Sequence, residues 1–375
     1  MAWKTITKAA LAVALIGGVA AAPAQAQTSL TTDQSQALLA RLQAIPAAGL
    51  AHAKALKDQL GLDDDVINPA DYQCTSSTPV RDWLAASEQK WTPLDRAIAT
   101  SVNNLQPVLL DTVLFPKEAG TQFGQRGEYT TQITHTFRDL GKFWDIQSSQ
   151  IVIAPMHGSV LTDRPRLTRV FQVGFGFDQV FAASLADAVA TLMDQDQFDH
   201  GNHPFFTFNA FALGGLDIPG FGTIPPEIVM GDGVLAGFTA VGLDDVAGKA
   251  ILAHEFGHQV QFQKGLTQTT LTGPEASRRL ELMADAFGSY YLTHARGATL
   301  RWKRVQEFLQ IFYQLGDCQF AAASHHGTPL QRLHAAEWGS AVAADTQKQG
   351  HILPSLTFAA MFEQKLPELV APDAP

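Results

Sequence analysis

The run from Asp244 to Lys264 constrains this chain more than any other segment. It reads as a helix of about five turns, apolar around much of its circumference through Val246, Ala250, Ile251, Ala253, Phe256 and Val260, yet it carries His254, Glu255 and His258. A helix that is apolar on most sides belongs in a core. Asp244 or Asp245 is placed to cap its start, and Lys264-Gly265 to end it. Two histidines inside such a helix are either core residues bonded to carbonyls or metal ligands, and a third ligand elsewhere decides between the two.

The spacing His254-Glu255-Phe-Gly-His258 is an H-E-x-x-H pattern. Residues four apart share a helix face, so the two imidazoles can converge on one tetrahedral zinc ion. Glu255 is rotated to the side, where its carboxylate can meet a water on the metal. Downstream, Pro274 suits a helix start, Leu280, Met283, Ala284 and Phe287 are periodic, and Arg296-Gly297 can end the helix. Glu281 and Asp285 then lie one turn apart on one face. Glu281 is the expected third ligand, and Asp285 the carboxylate that fixes the far nitrogen of a ligating histidine.

His254-Glu255-Phe256-Gly257-His258-Gln259-Val260-Gln261 and Arg279-Leu280-Glu281-Leu282-Met283-Ala284-Asp285 resemble the paired signatures of the bacterial neutral zinc metallopeptidases, within the wider gluzincin group. A third segment, His326-Gly327-Thr328-Pro329-Leu330-Gln331-Arg332, is similar to the His-Gly, then Gln-Arg, segment near the end of those chains. The likeness spans about residues 240 to 340. It implies a zincin-like fold, Zn2+ on His254, His258 and Glu281, Glu255 as catalytic base, and Asp285 behind a ligand. The chain departs from the family at Ala286, where a Cys often follows the Ala-Asp pair.

Such a centre hydrolyses amides: zinc acidifies a water and polarises the carbonyl, while Glu255 moves the proton to the leaving amine. The expected activity is an exported zinc-dependent peptidase acting on a protein or peptide. An inactive zinc-binding scaffold and a zinc hydrolase of a nonpeptide amide are the alternatives. His326 is the candidate partner for the oxyanion, on the strength of the resemblance, with Tyr290, Tyr291 and His325 as rivals. An edge strand from an expected hairpin, Glu227 to Phe238 with its turn at Asp232-Gly233, would align an extended substrate.

Residues 1–26 read as a signal peptide: Lys4 and Lys8, an apolar run from Ala9 to Ala22, and an Ala24-Gln-Ala26 cleavage site. The expected location is therefore secreted or periplasmic, without stable membrane insertion after cleavage. A net charge of −10 without any basic cluster argues against nucleic acid as a partner. Cys74 and Cys318, the two cysteines of the chain, can pair in an oxidising compartment.

Residues 27–90 form an expected N-terminal helical region, a possible pro-segment bounded by the polar stretch Gly61 to Pro79, and residues 91–370 the metallopeptidase domain. Short β-prone runs at Ile151–Ala154, Thr168–Val173, Phe205–Phe211, Glu227–Met230 and Val234–Phe238 are separated by a helix at Phe181–Met193. The fold class expected is α+β, a mixed sheet preceding a mainly helical C-terminal half. Asp63, Asp64 and Asp65 read as a solvated turn, and Asp199-His200-Gly-Asn-His203 as a polar loop with an outside prospect of a second metal. The Phe205–Phe211 aromatics read as core.

Overall fold

Several helix starts in the chain are set by short polar side chains that accept the first free backbone N–H groups. The computed structural model describes residues 29–60, 78–115, 122–218, 221–271, 273–312, 327–345 and 350–371. The expected signal peptide, the Asp63–Asp65 turn, both cysteines, His325 and His326 lie outside them. Thr31 with Gln34, and Thr92 with Asp95, form reciprocal capping boxes for α1 (Thr32–Gln43) and α4 (Pro93–Leu105). Between them come α2 (Ala47–Leu60), begun after Pro46, and α3 (Pro79–Ser87). Next follow α5 (Pro107–Leu114), α6 (Thr130–Phe143), β1 (Val152–Met156), α7 (Arg164–Phe175) and α8 (Gln179–Met193). Four short strands then appear, β2 (Ala210–Leu213), β3 (Leu216–Ile218), β4 (Gly222–Ile224) and β5 (Glu227–Gly231). The chain continues through α9 (Asp232–Ala240), α10 (Ala247–Gln263), α11 (Pro274–Thr293), α12 (Trp302–Phe312), α13 (Pro329–Ala344) and α14 (Ser355–Leu369).

The protein is thus α+β and mostly helical, with a small mixed sheet. Strand order is β1-β5-β2: β1 runs parallel to β5, pairing Val152 with Glu227 and Met156 with Gly231, and β2 runs antiparallel to it. β3 and β4 form a separate hairpin. Every residue of β5 is buried, as expected of a strand covered on both faces. Side chains alternate across the sheet. Ile228 and Met230 join one apolar cluster, built with α6 and α9 to α14. Val229 joins a second cluster, built with α1, α2, α4, α5, α7 and α8. Among the described residues no helix is long and apolar enough to cross a membrane.

Two expected strands are helices. Thr168–Val173 lies inside α7, where Asp163 accepts the Arg166 N–H, Pro165 sits in the first turn, and Leu167, Val170, Phe171, Gly174 and Phe175 are buried. That 3.6-residue spacing and the cap outweigh the β-propensity of the short run. Val234–Phe238 lies in α9. The Asp-Gly pair before it makes no hairpin: Gly233 is not among the residues with positive φ, and its missing side chain serves close packing, since a Cβ there would stand 2.2 Å from the Pro204 carbonyl oxygen. β5 is consequently the central strand, and β2 takes the edge position expected of the hairpin. Phe206 is buried in core, with Phe205 and Phe211 packed against it. The stretch 204–207 is a 3-10 turn instead of strand.

The two helices of the H-E-x-x-H and Glu281–Asp285 patterns cross at glycines. A Cβ on Gly257 would stand 3.1 Å from Ala284 Cα, and one on Gly288 3.3 Å from the His254 backbone nitrogen. α13 approaches α11 still more closely at Gly339, where a Cβ would fall 2.4 Å from the Ala286 carbonyl oxygen. A backbone atom cannot swing aside as a side chain can. Gly339→Ala is therefore expected to cost about 1–3 kcal/mol, read as a lowered urea midpoint; an unchanged midpoint would show that the contact is not limiting.

A candidate metal centre between three helices

α10 begins at Ala247 after Val246 without a side-chain cap, and Asp245, an expected cap, instead pairs with Arg304. α11 ends at Thr293, with His294 as its C-cap, three residues short of Arg296. Neither change moves the patterns off their helices. His254 and His258 face Glu281 across the crossing. His254 Nε2 lies 3.2 Å from His258 Nε2 and 3.3 Å from Glu281 Oε2, and His258 Nε2 lies 3.3 Å from Glu281 Oε1. A tetrahedral ion with bonds of about 2.0–2.1 Å requires ligand atoms about 3.3–3.4 Å apart. The donors therefore already stand at the edge length of such a polyhedron. Among the described residues this is the one group of three His, Cys, Asp or Glu side chains able to hold a metal ion.

The far nitrogens are held as well. His254 Nδ1 is 2.9 Å from Asp285 Oδ1, and His258 Nδ1 donates to Gln261 Oε1 at 2.9 Å. Gln261 is itself anchored, its Nε2 donating to the Leu280 carbonyl on α11. With a metal on Nε2, both rings would carry their one proton on Nδ1, facing Asp285 and Gln261. Arg332, on α13, closes the back of the centre: its Nε and Nη2 donate to the two Asp285 oxygens at 2.8 and 2.9 Å, and Nη2 lies 3.3 Å from Glu281 Oε2.

The electrostatics follow from burial against pairing. Burial opposes protonation of His254, but its bonds to Asp285 and Glu281 outweigh that and push it up to about 10. For His258 burial again opposes and Glu281 prevails, raising it. Burial raises Asp285, yet Arg332 and His254 hold it below the ordinary carboxylate value. Glu255, buried on α10, is pushed up by desolvation, with His254 and His258 opposing. Its carboxylate makes no hydrogen bond among the described residues, which leaves it free to accept one from water.

Since His254 stays protonated up to about pH 10, metal must displace a proton. Apparent zinc affinity is expected to rise with pH toward that value, by about tenfold per unit for each proton released. Calorimetric titration in two buffers of different ionisation enthalpy measures this; uptake without proton release would contradict it. In the metal-free chain the raised value has the opposite consequence. It stabilises the fold fully below the ordinary histidine value, and the contribution is lost as pH rises through about 10.

Comparison with protein-family models, curated proteins and solved structures finds no match. The geometry alone therefore carries the assignment.

Other candidates fall elsewhere. Tyr290 is bound into the loop near residue 353, its hydroxyl accepting the Leu353 N–H at 3.0 Å, and Tyr291 packs on Phe143. His200 pairs with Asp194 at the surface, while His203 is buried on Trp91 and accepts the Phe205 N–H. His157 meets the buried Asp232 at 2.7 Å, a pairing across the ends of β1 and β5 that sequence spacing does not reveal. Gln259, unassigned from sequence, donates to the Leu213 and Glu227 carbonyls at 2.8 Å and clamps β2 and β5 to the metal helix. Gln261 was findable, being three residues beyond His258 on one helix. The role of Arg332 was not, because it depends on how α13 docks.

Proposed function

We propose that this chain is an exported zinc-dependent peptidase with a zincin-like catalytic region, akin to the bacterial neutral zinc metallopeptidases. The observation that carries the reading is the convergence of His254, His258 and Glu281 at tetrahedral spacing, next to a buried Glu255 that makes no hydrogen bond among the described residues. Two imidazoles and one carboxylate form a donor set that suits zinc and matches catalytic rather than closed structural sites. Zinc held there supplies a Lewis acid that acidifies water and polarises a carbonyl.

The chain's own residues do the rest. Glu255 accepts the proton of the attacking water and returns it to the departing amine nitrogen, a task helped by a carboxyl that burial makes more basic. Asp285 and Gln261 keep both imidazoles in the ligating tautomer. β2, at the edge of the sheet and clamped beside α10 by Gln259, is the place for an extended peptide to add as a further strand. His326 remains the proposed donor to the carbonyl oxygen in the transition state. Export to the periplasm or medium follows from the leader, with cleavage before Gln27.

Incubating the zinc-loaded mature chain with casein tests the reading. Cleavage that a chelator stops and zinc restores is the expected result. Zinc uptake without cleavage of casein or of a peptide library would sink it, leaving a binding scaffold or a hydrolase of nonpeptide amides.

A further inference from the structure

We propose that Arg332 is a positioning residue of this centre: from a third helix it sets the orientation of the Glu281 ligand and of the Asp285 carboxylate behind His254. The proposal rests on the metal-centre reading above. The planar fork of Arg332 takes both Asp285 oxygens at 2.8 and 2.9 Å, and the shared Nη2 reaches Glu281 Oε2 at 3.3 Å. One rigid group thereby ties two acidic side chains of α11 into a fixed relation, which a flexible ammonium cannot do.

Charge explains why a guanidinium belongs there. Glu255, Glu281 and Asp285 bring three carboxylates into one site, and histidines that have given up a proton to bind a metal offset none of that charge. A divalent ion balances two of them, and Arg332, itself 6% exposed, balances the third. Without it, Asp285 and Glu281 would repel each other one helical turn apart. Each would then relax toward water and away from the histidines.

The placement of Arg332 is secured independently of its charge. Thr328 and Gln331 form a capping box at the start of α13. Gly339, two turns further along the same face, seats the helix directly on the Ala286 backbone. The Arg332 stem is thus delivered to Asp285 by helix packing, and the ion pairs then orient what they touch.

The experiment measures zinc affinity by chelator competition, and the visible spectrum of the cobalt-substituted centre, in the full mature chain and in Arg332→Met and Arg332→Lys. Far-UV circular dichroism compares their folding. The expected result is affinity reduced about 10–100-fold in Arg332→Met, with shifted cobalt bands. Arg332→Lys, which keeps the charge but loses the fork, should fall between; if the Met variant does not fold, the Lys variant decides. Wild-type affinity and an unchanged cobalt spectrum in the folded variants would overturn the proposal, even if their unfolding temperature fell, because that is the signature of a purely structural ion pair. Failure of the wild-type chain itself to bind zinc or cobalt would overturn the metal-centre reading and this proposal with it.

Discussion

Glu255→Gln is expected to lower the hydrolysis of an unstructured protein by about 10²–10⁴-fold with zinc content unchanged. The substitution keeps the shape of the side chain and removes its ability to take a proton. Glu255 is not among the three convergent donors, so metal affinity should survive. The change also relieves the cost of holding a charge in a site where Glu255 is 5% exposed, so folding should be no weaker. Zinc analysis of the purified variant, beside its initial rate on casein, makes the test. Full activity at equal zinc would remove Glu255 from the mechanism.

His258→Ala is expected to weaken zinc binding by more than about 100-fold, since loss of a direct ligand exceeds the loss typical of a supporting residue. The helix itself should persist, because Ala favours helix and the apolar residues of α10 that anchor it are untouched. Three contacts would be lost: Gln261 Oε1 accepting from His258 Nδ1, and Glu281 Oε1 and His254 Nε2, which both face His258 Nε2. Thermal unfolding with and without zinc offers a direct readout. At a concentration about 100 times the dissociation constant, zinc stabilises a binding protein by about 2.7 kcal/mol, a shift the variant should not show. Stoichiometric zinc in the variant would make the ligand assignment wrong.

Local signals explain where the fold was legible. Thr31, Thr92, Asp163, Asp178 and Thr328 each accept backbone N–H groups at a helix start, and residues of these types ahead of a periodic apolar run mark a helix start in the sequence itself. Glycine is harder to interpret. Gly233 suggests a turn through its neighbour Asp232, yet its role is to let Pro204 approach, a contact between segments far apart in the chain. The Thr168–Val173 run shows the same difficulty at short range. A six-residue run with four β-prone residues carries less information than the cap and periodic burial of the twelve-residue helix around it.

In the candidate centre, helical spacing was enough to select His254, Glu255, His258, Glu281 and Asp285, because residues three and four apart on a helix must share a face. Tertiary packing decided the rest. Whether two helices meet, and at what separation, depends on backbone contacts such as Gly257 on Ala284 and Gly339 on Ala286, which no periodicity encodes. That close approach brings the histidine nitrogens within 3.3 Å of Glu281 and delivers Arg332 to Asp285. Sequence alone determined which side chains each helix presents on one face. Only the docking of α10, α11 and α13 turned those faces into one centre, since ligand geometry is a property of the distance between helices and not of either helix alone.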